Sequence, residues 1–518
     1  MDALVVLILL MPLIAASVIG IGHFIGVVKD EAGETFTSIA AFWAISMSTL
    51  LTIALLMLDY MGKNAGTFTA GMWLVSEAFS IAPHFTTTGF NLYIAVLFSL
   101  LLTVNTKFAI NYMHRETGFH RFFAILSLFS GGIFLIVFSN SMVLTFTGWE
   151  LAGLCSYLLI AYAYDRPVAV QHASSVFVIN RVGDAAFLLG IGLSSIWLET
   201  VTWSGLNIAA PDLSKGEAAA LAVCFSIAAL VKSAQLPFSF WLTKAMEGPT
   251  PSSAVFYGAV MIHAGVFLVI QLQPLIDITP LAQVILVVSG GSTVVYAYLS
   301  GLTQTDVKSS QVFAALAQLG IMFVECGFGF WQLAGWHLCG HAIIRCYSVL
   351  TAPSLIYNTR DSHVKPFKFG FAGLKPLFEM SLQRFWLDQI NDWALSRPLR
   401  RLARDLSYFD DNVIDKLMGV PMPAMHAAAK LAQREETALA PEFDHNRLIA
   451  GTGLVGKIMG WLGGFVHWFE DRLVLEGIAK DTLHAGRTLG HLANKFELLI
   501  LRPRYLVLFV FITFLVAF

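Results

Sequence analysis

The sequence predicts an all-α fold, a polytopic membrane bundle of about 12–13 transmembrane helices with amphipathic helices outside it. Three observations carry that prediction. Of 518 residues, 57% are hydrophobic and only 13% charged, against roughly 25% charged in a soluble domain. A water-soluble fold has no place for so much apolar surface. Stretches long enough to span a bilayer, about 20 mostly apolar residues, recur at 2–22, 37–58, 90–112, 122–140, 141–163, 170–196, 216–247, 252–272, 279–301, 307–328, 332–356 and 501–518. These runs lack period-2 alternation, so helices and not a barrel satisfy the backbone in hydrocarbon.

Taken in order, Met1–Gly20 reads as the first span and not as a cleavable leader. Acidic Asp2 stands where a leader carries positive charge, and no clear small-residue cleavage site follows. The Gly/Thr/Ser-rich segment 59–89 reads as a short external hairpin. Pro237, five residues after Lys232 in SIAALVKSAQLPF, predicts a broken helix, because proline removes a backbone hydrogen bond. Cys155, Cys224, Cys326, Cys339 and Cys346 lie in hydrophobic stretches without metal-ligand spacing, so buried thiols are expected and neither disulfides nor an iron–sulfur site.

Beyond 357 the composition changes. Charges crowd in, while Leu382, Phe385, Trp386, Ile390 and Trp393 keep helical spacing, which predicts amphipathic helices at the membrane interface. Three regions follow: a transmembrane core over 1–357, interfacial helices over 358–500, and an anchor over 501–518. A faint repeat sets Phe409, Asp410 and Asp411 against Phe469, Glu470 and Asp471, and both copies are candidate docking points for a partner. No good 20-residue apolar run occurs in 357–500, so a single broken helix is expected.

Alternate loops separate by basic content. Those with Lys29, Arg115 and Arg121, Arg166, Lys244, Lys308, and Arg360 with Lys365 share one side, and the others hold little besides Lys63 and Lys215. The positive-inside rule places the N-terminus outside and residues 358–500 in the cytoplasm.

Ionisable residues inside apolar spans are expensive and mark function by default. Glu150, Lys232 and His263 sit within such spans, and His337, His341 and Arg345 follow at i, i+4, i+8, lining one helix face over about 12 Å. Arg181 and Asp184 cluster in the sixth span at i, i+3, placed to pair with each other. Burial disfavours charge on Lys and Glu alike, and mutual proximity opposes both effects, so a moving partner loads or releases a proton. Histidines relay it onward. The expected path is Glu150, Lys232, His263, His337, His341 and Arg345, with Arg345 a fixed charge. Bland readings stand beside each: a structural Glu150–Lys232 pair, and packing histidines. A Lys/His chain favours H⁺, with Na⁺ as the alternative ion.

Several motifs resemble a known family. YMHRETGFHRFFAILSLF (112–129), FTGWELAGLCSYLLIAY (146–162), INRVGDAAFLLG (179–190), KSAQLPFSFWLTKAMEGPTPSSA (232–254), TQTDVKSSQVFAALAQLGIMF (303–323) and HLCGHAIIRC (337–346) resemble the antiporter-like subunits of respiratory complex I and of Mrp cation/proton antiporters. The resemblance implies that Glu150 pairs with Lys232 of the broken helix. It implies that His263 fills a position usually held by Lys, and that His337 and His341 are the paired histidines. Arg345 then stands for a common Lys, and Asp184 for a sixth-helix aspartate. Tyr257 departs from the family, which often has His there, and a second broken helix is normally present. The core and the tail motifs LQRFWLDQINDW, YFDDNVID and HWFEDRLVLEGI look most like DabB-type subunits of bacterial inorganic-carbon uptake systems. That likeness implies a bacterial inner-membrane location and a cytoplasmic DabA-like partner, a zinc protein similar to β-carbonic anhydrases.

The expected function is therefore a proton-conducting subunit coupled to conversion of CO2 to bicarbonate by that partner. The alternative is a pumping subunit of a complex I-type oxidoreductase or membrane hydrogenase. No nucleotide loop or nucleophile constellation is present in the sequence, so neither enzyme chemistry nor a cofactor is expected in this chain. A net charge of −2 gives no reason to expect nucleic acid. His337 and His341 could offer two zinc ligands, but no third is evident, so no metal site is expected.

Overall fold

The computed structural model describes residues 2–410, apart from 65, 72–73, 76–79, 305–306 and 360–374. Six long helices open the chain: α1 (Asp2–Phe24), α2 (Asp30–Tyr60), α3 (Gly89–Tyr112), α4 (Phe119–Phe138), α5 (Met142–Ile160) and α6 (Pro167–Leu198). α4 is the most enclosed of them, with Phe122, Phe123, Phe129, Phe134 and Phe138 all buried. Short α7 (Trp203–Ala209) leads to α8 (Lys215–Lys232), whose start is fixed by a capping box. Ser214 Oγ accepts from the Glu217 N–H at 3.3 Å, and Glu217 Oε2 accepts from the Ser214 N–H at 3.0 Å. After the short α9 (Trp241–Lys244), the span Thr250–Gln271 begins as α10 (Thr250–Ser253) and ends as α11 (Ala264–Gln271). Then come α12 (Gln273–Asp277), α13 (Pro280–Leu302), α14 (Val307–Gly327) and α15 (Trp331–Thr359).

Among the described residues, nine helices are long and apolar enough to cross a membrane. α8 and α15 occupy two further predicted spans, and both carry charge in mid-helix or at a break. The predicted span 501–518 lies outside the described residues.

The loops alternate between two ends of the bundle. At the basic end, Arg121 Nη2 donates to the Tyr162 carbonyl at 2.7 Å, Arg166 meets Glu247 at 2.7 Å, and the Tyr112 and Thr250 hydroxyls lie 3.0 Å apart. Burial pushes the Tyr162 phenol up to about 12, with Arg121 opposing the shift, so Tyr162 stays protonated and is no carrier there. At the opposite end the predicted hairpin forms two short antiparallel pairs, β1 (Thr67–Thr69) with β4 (His84–Thr86), and β2 (Leu74–Val75) with β3 (Ser80–Ile81). β4 is tied to the bundle where the Asn140 N–H donates to the His84 carbonyl at 2.8 Å. Asn207 Nδ2 to the Gln271 carbonyl, 2.9 Å, and Trp331 Nε1 to Asp277, 3.0 Å, join other loops of that end.

Small residues let helices cross closely, as membrane packing requires. A Cβ at Gly290 would stand 2.5 Å from the Gly320 carbonyl oxygen, and one at Gly320 2.7 Å from that of Gly290, so α13 and α14 touch backbone to backbone.

The chain forms two compact units, up to Asp388 and from Gln389 onward. The first closes with α16 (Lys375–Leu382), a single turn over Arg384–Trp386, and the start of α17 (Leu387–Asn391). Ser381 Oγ donates to the Leu299 carbonyl at 2.5 Å and Arg384 Nη2 to Gln304 Oε1 at 2.9 Å. Arg384, Phe385 and Trp386 all take left-handed backbone, at φ 50°, 56° and 53°. The chain is thus interrupted between α16 and α17, and neither of these short helices is among those long and apolar enough to cross a membrane.

In the second unit the described residues form α18 (Arg397–Phe409). Leu399, Leu402 and Leu406 recur at i, i+3, i+7 among Arg397, Arg400, Arg401 and Arg404, so the helix is amphipathic. Asp392 pairs with Arg400 and, at 2.8 Å, with Arg397. Of the predicted docking residues, Phe409 ends α18 and Asp410 caps it, whereas Asp411, Phe469, Glu470 and Asp471 lie outside the described residues.

Candidate ion-transfer site

The sequence predicts a break near Pro237, but α8 already stops at Lys232. In a continued helix the Pro237 ring would collide with the Ser233 carbonyl, four residues back, so the chain must turn before that point. Ala234 takes left-handed backbone, φ 54°. Freed groups find partners: Trp241 Nε1 donates to the Val231 carbonyl at 2.9 Å, and the Leu236 N–H donates to Thr293 Oγ1 at 2.8 Å. Lys232 thus ends a helix in the interior, 1% exposed.

Its surroundings hold two carboxylates and a second cation. Lys232 Nζ donates to the Trp149 carbonyl at 3.1 Å and lies 4.8 Å from the centre of the Trp149 ring. Trp149 Nε1 donates to Asp184 Oδ1 at 3.1 Å. Arg181 bridges the acids, with Nη1 2.6 Å from Glu150 Oε2 and Nη2 3.2 Å from Asp184 Oδ2. Glu150 therefore pairs with Arg181, and no direct Glu150–Lys232 ion pair is present. A planar guanidinium serves two carboxylates at once, which an ammonium held at a helix end does not match. Gly153 lies beside both cations: a Cβ there would stand in ordinary contact, 3.5 Å from Lys232 Nζ and 3.9 Å from Arg181 Nη2. With Lys232 protonated the cluster is neutral, and without that proton it carries one negative charge.

The second group centres on His263. Its span is irregular, with a π turn over Ala254–Ala259 and a 3₁₀ turn over Met261–His263 before α11. Such bulges often mark functional positions. Tyr257 is buried inside the π turn. His263 Nε2 lies 2.8 Å from His341 Nδ1, and Arg345 Nε donates to His341 Nε2 at 3.2 Å. A guanidinium only donates, so His341 accepts at Nε2, carries its proton on Nδ1 and donates to His263. Arg345 thus acts as a fixed cation on Nε2 of His341, and transfer of the Nδ1 proton to His263 requires Arg345 to release Nε2 so that it takes up a replacing proton. His337 belongs to a separate contact: its Nδ1 lies 3.0 Å from Glu325 and its Nε2 2.9 Å from Gln318 Oε1.

A side-chain-to-backbone hydrogen bond joins the two groups, since Ser233 Oγ donates to the Ile262 carbonyl at 2.6 Å. Gly265 makes this approach possible, because a Cβ there would stand 2.2 Å from the Ala229 carbonyl oxygen and 2.4 Å from Ser233 Oγ. Gly265→Ala is expected to push α11 off α8, costing about 1–3 kcal/mol and lowering the melting temperature of the detergent-solubilised protein. An unchanged melting temperature with intact transport counts against this close approach.

The structure brings together Glu150, Asp184 and Lys232 in one group, and His263, His341 and Arg345 in another, with His337 beside the second. Sequence reasoning missed Glu325, and it paired Arg181 with Asp184 only. Glu325 lies in IMFVECGFG and meets the criterion already applied to Glu150, a carboxylate in an apolar stretch. Arg181 could not be assigned to Glu150 without knowing how α5 and α6 face. Among the described residues, no three His, Cys, Asp or Glu side chains are placed to hold a metal ion.

Residues 139–386 match the family described as NADH:quinone oxidoreductase/Mrp antiporter, TM. NADH-ubiquinone oxidoreductase chain 5 of Hypocrea jecorina is 31% identical over 68% of this chain and 50% of its own length. NADH-quinone oxidoreductase subunit L of Rhodobacter capsulatus is 40% identical over 48% of this chain and 36% of its own length. The chain thus spans about half, or less, of the length of these curated relatives. Among solved structures, the Mrp complex from Dietzia sp. DQ12-45-1b shares the fold over 72% of this chain and 40% of that one, with TM-score 0.61 and 21% identity. A chain of the archaeal membrane-bound sulfane sulfur reductase shares it over 95% of both, with TM-score 0.60 and 17% identity.

Proposed function

We propose that the chain, whose residues 139–386 match the family described as NADH:quinone oxidoreductase/Mrp antiporter, TM, is a proton-translocating subunit of a larger membrane assembly. The observation that carries this reading is the pair of buried groups meeting at the break behind Lys232, one of acids and cations, one of neutral histidines. Lys232 gains or gives a proton at Nζ as the carboxylates and Arg181 rearrange around it, and His263 and His341 pass protons through a 2.8 Å contact. Nitrogen-based carriers favour H⁺ over Na⁺, which prefers oxygen ligands. In this reading the basic end faces the cytoplasm, by the positive-inside rule.

For the coupled reaction we propose inorganic-carbon accumulation with a cytoplasmic, zinc-containing carbonic-anhydrase-like partner. The tail motifs LQRFWLDQINDW and HWFEDRLVLEGI support this reading. A second reading, a pumping subunit of a complex I-type oxidoreductase, draws support from the relatives above and from the second interruption at Arg384–Trp386.

The test is growth of carbonic-anhydrase-deficient cells at low CO2, expressing the chain with a DabA-like partner. Wild type should rescue, while Lys232→Ala and Glu150→Gln should not, with membrane insertion and partner binding checked for each. No rescue by wild type refutes the carbon reading and directs the search to a respiratory complex. Equal rescue by all three refutes ion coupling through these residues.

A further inference from the structure

We propose that Glu325 and His337 form the site where the pathway exchanges protons with the face opposite the basic loops. The inference rests on the proton-translocation reading above.

Position is the first argument. α14 runs from the basic end, near Lys308, and Glu325 is two residues from its far terminus at Gly327. The turn there is tight, with Gly329 at φ 78° and the Phe330 N–H donating to the Glu325 carbonyl at 2.8 Å. α15 then re-enters, so His337 lies about 9 Å deep along its axis, His341 about 6 Å further and Arg345 about 6 Å beyond that. The titratable side chains therefore form a ladder that starts near the opposite face and ends at mid-depth. His337 is the rung that bridges them, its ring centre 6.3 Å from that of His341.

Chemistry is the second argument. Glu325 sits in the last turn of α14, where the helix dipole is negative, and its side chain is only 11% exposed. A carboxylate in such a place destabilises the fold unless a cation offsets it. The contacts of His337 fit an imidazolium: a carboxylate lies 3.0 Å from Nδ1 and an amide oxygen 2.9 Å from Nε2, and both only accept. Turning the Gln318 amide by half a revolution presents its NH₂ to Nε2 instead and suits the neutral ring. The site thus holds one exchangeable proton, with a bonded partner for the ring in both states. In the step, Nδ1–H of His337 passes its proton to a Glu325 oxygen and Glu325 releases it to the face. Nδ1 is then bare while Nε2–H stays on Gln318 Oε1, and after a ring rotation Nδ1 is reprotonated from the His341 side across a water.

The groups facing this site are His263 from the neighbouring span, His341 and Arg345 on α15, and Gln318 and Cys326 on α14. None of them is a second carboxylate, so among the described residues Glu325 is the carboxylate placed to take the proton from His337.

The experiment uses right-side-out and inverted vesicles from cells making the full chain in its own assembly, with proton flux followed by a pH-sensitive dye. Glu325→Gln should cut flux at least about tenfold and flatten its dependence on pH at the face opposite the basic loops. Glu325→Asp should restore both in part. Lys232→Ala separates the two proposals. If it abolishes flux while Glu325→Gln leaves rate and pH profile unchanged, the exchange site is wrong and translocation stands. If wild type shows no flux sensitive to Lys232→Ala, both fail. Lower thermal stability with an unaltered pH profile reduces Glu325 to a structural counter-ion and also overturns the proposal.

Discussion

Replacing Lys232 with arginine is expected to abolish proton translocation as completely as Lys232→Ala, by about a hundredfold or more. Arginine keeps the positive charge but does not release its proton. The pair of variants therefore separates a carrier from a fixed charge, since a fixed charge would survive the arginine exchange. Stability should not follow activity. Lys232 is buried at the end of α8 and bonded to a helix carbonyl, so Lys232→Met relieves a buried charge and fills similar volume. Such replacements are often neutral or stabilising. Vesicle proton uptake and melting temperature, measured on the same three variants, check both halves. Activity retained in Lys232→Arg would remove Lys232 from the proton's route.

Arg181→Gln is the second large effect. It leaves Glu150 and Asp184 facing Lys232 alone, one cation against two acids where there were two. Lys232 is then drawn to a carboxylate and held there, and flux is expected to fall at least about tenfold. The stability loss should stay below the 3–5 kcal/mol typical of breaking a fully buried pair, because the Arg181 side chain is 39% exposed. Adding Glu150→Gln removes the surplus acid, so the double variant should be more stable than the sum of the single changes. That coupling is the measurable signature of the bridge. Strict additivity would mean that Arg181 does not link the two acids.

The spans and the mid-membrane ionisable residues were legible in sequence because hydrocarbon allows few exceptions: apolar runs must be helices, and a charge inside one needs a reason. Glu150, Lys232, His263, His341 and Arg345 follow from that rule alone. Which acid meets which cation was not legible, since it depends on how α5, α6 and α8 are rotated against each other. The meeting of Lys232 and Arg181 beside Gly153 leaves no pattern along the chain. The true helix end at Lys232 was readable in principle from the i−4 clash of Pro237. The second interruption was not, because left-handed backbone at Arg384, Phe385 and Trp386 uses none of the glycines that usually announce it. His263 was visible as a residue, but its contact with His341 depends on the π turn, which shifts the register of its span by one residue.

Trp149 touches both halves of the acid–lysine group, its indole N–H on Asp184 and its ring beneath the Lys232 ammonium. An ammonium 4.8 Å from the ring centre imposes a local field on the indole that vanishes when the proton leaves. The chain therefore carries its own optical voltmeter: the emission of Trp149, isolated as the difference between wild type and Trp149→Phe, reads the charge on Lys232 during turnover without an added label.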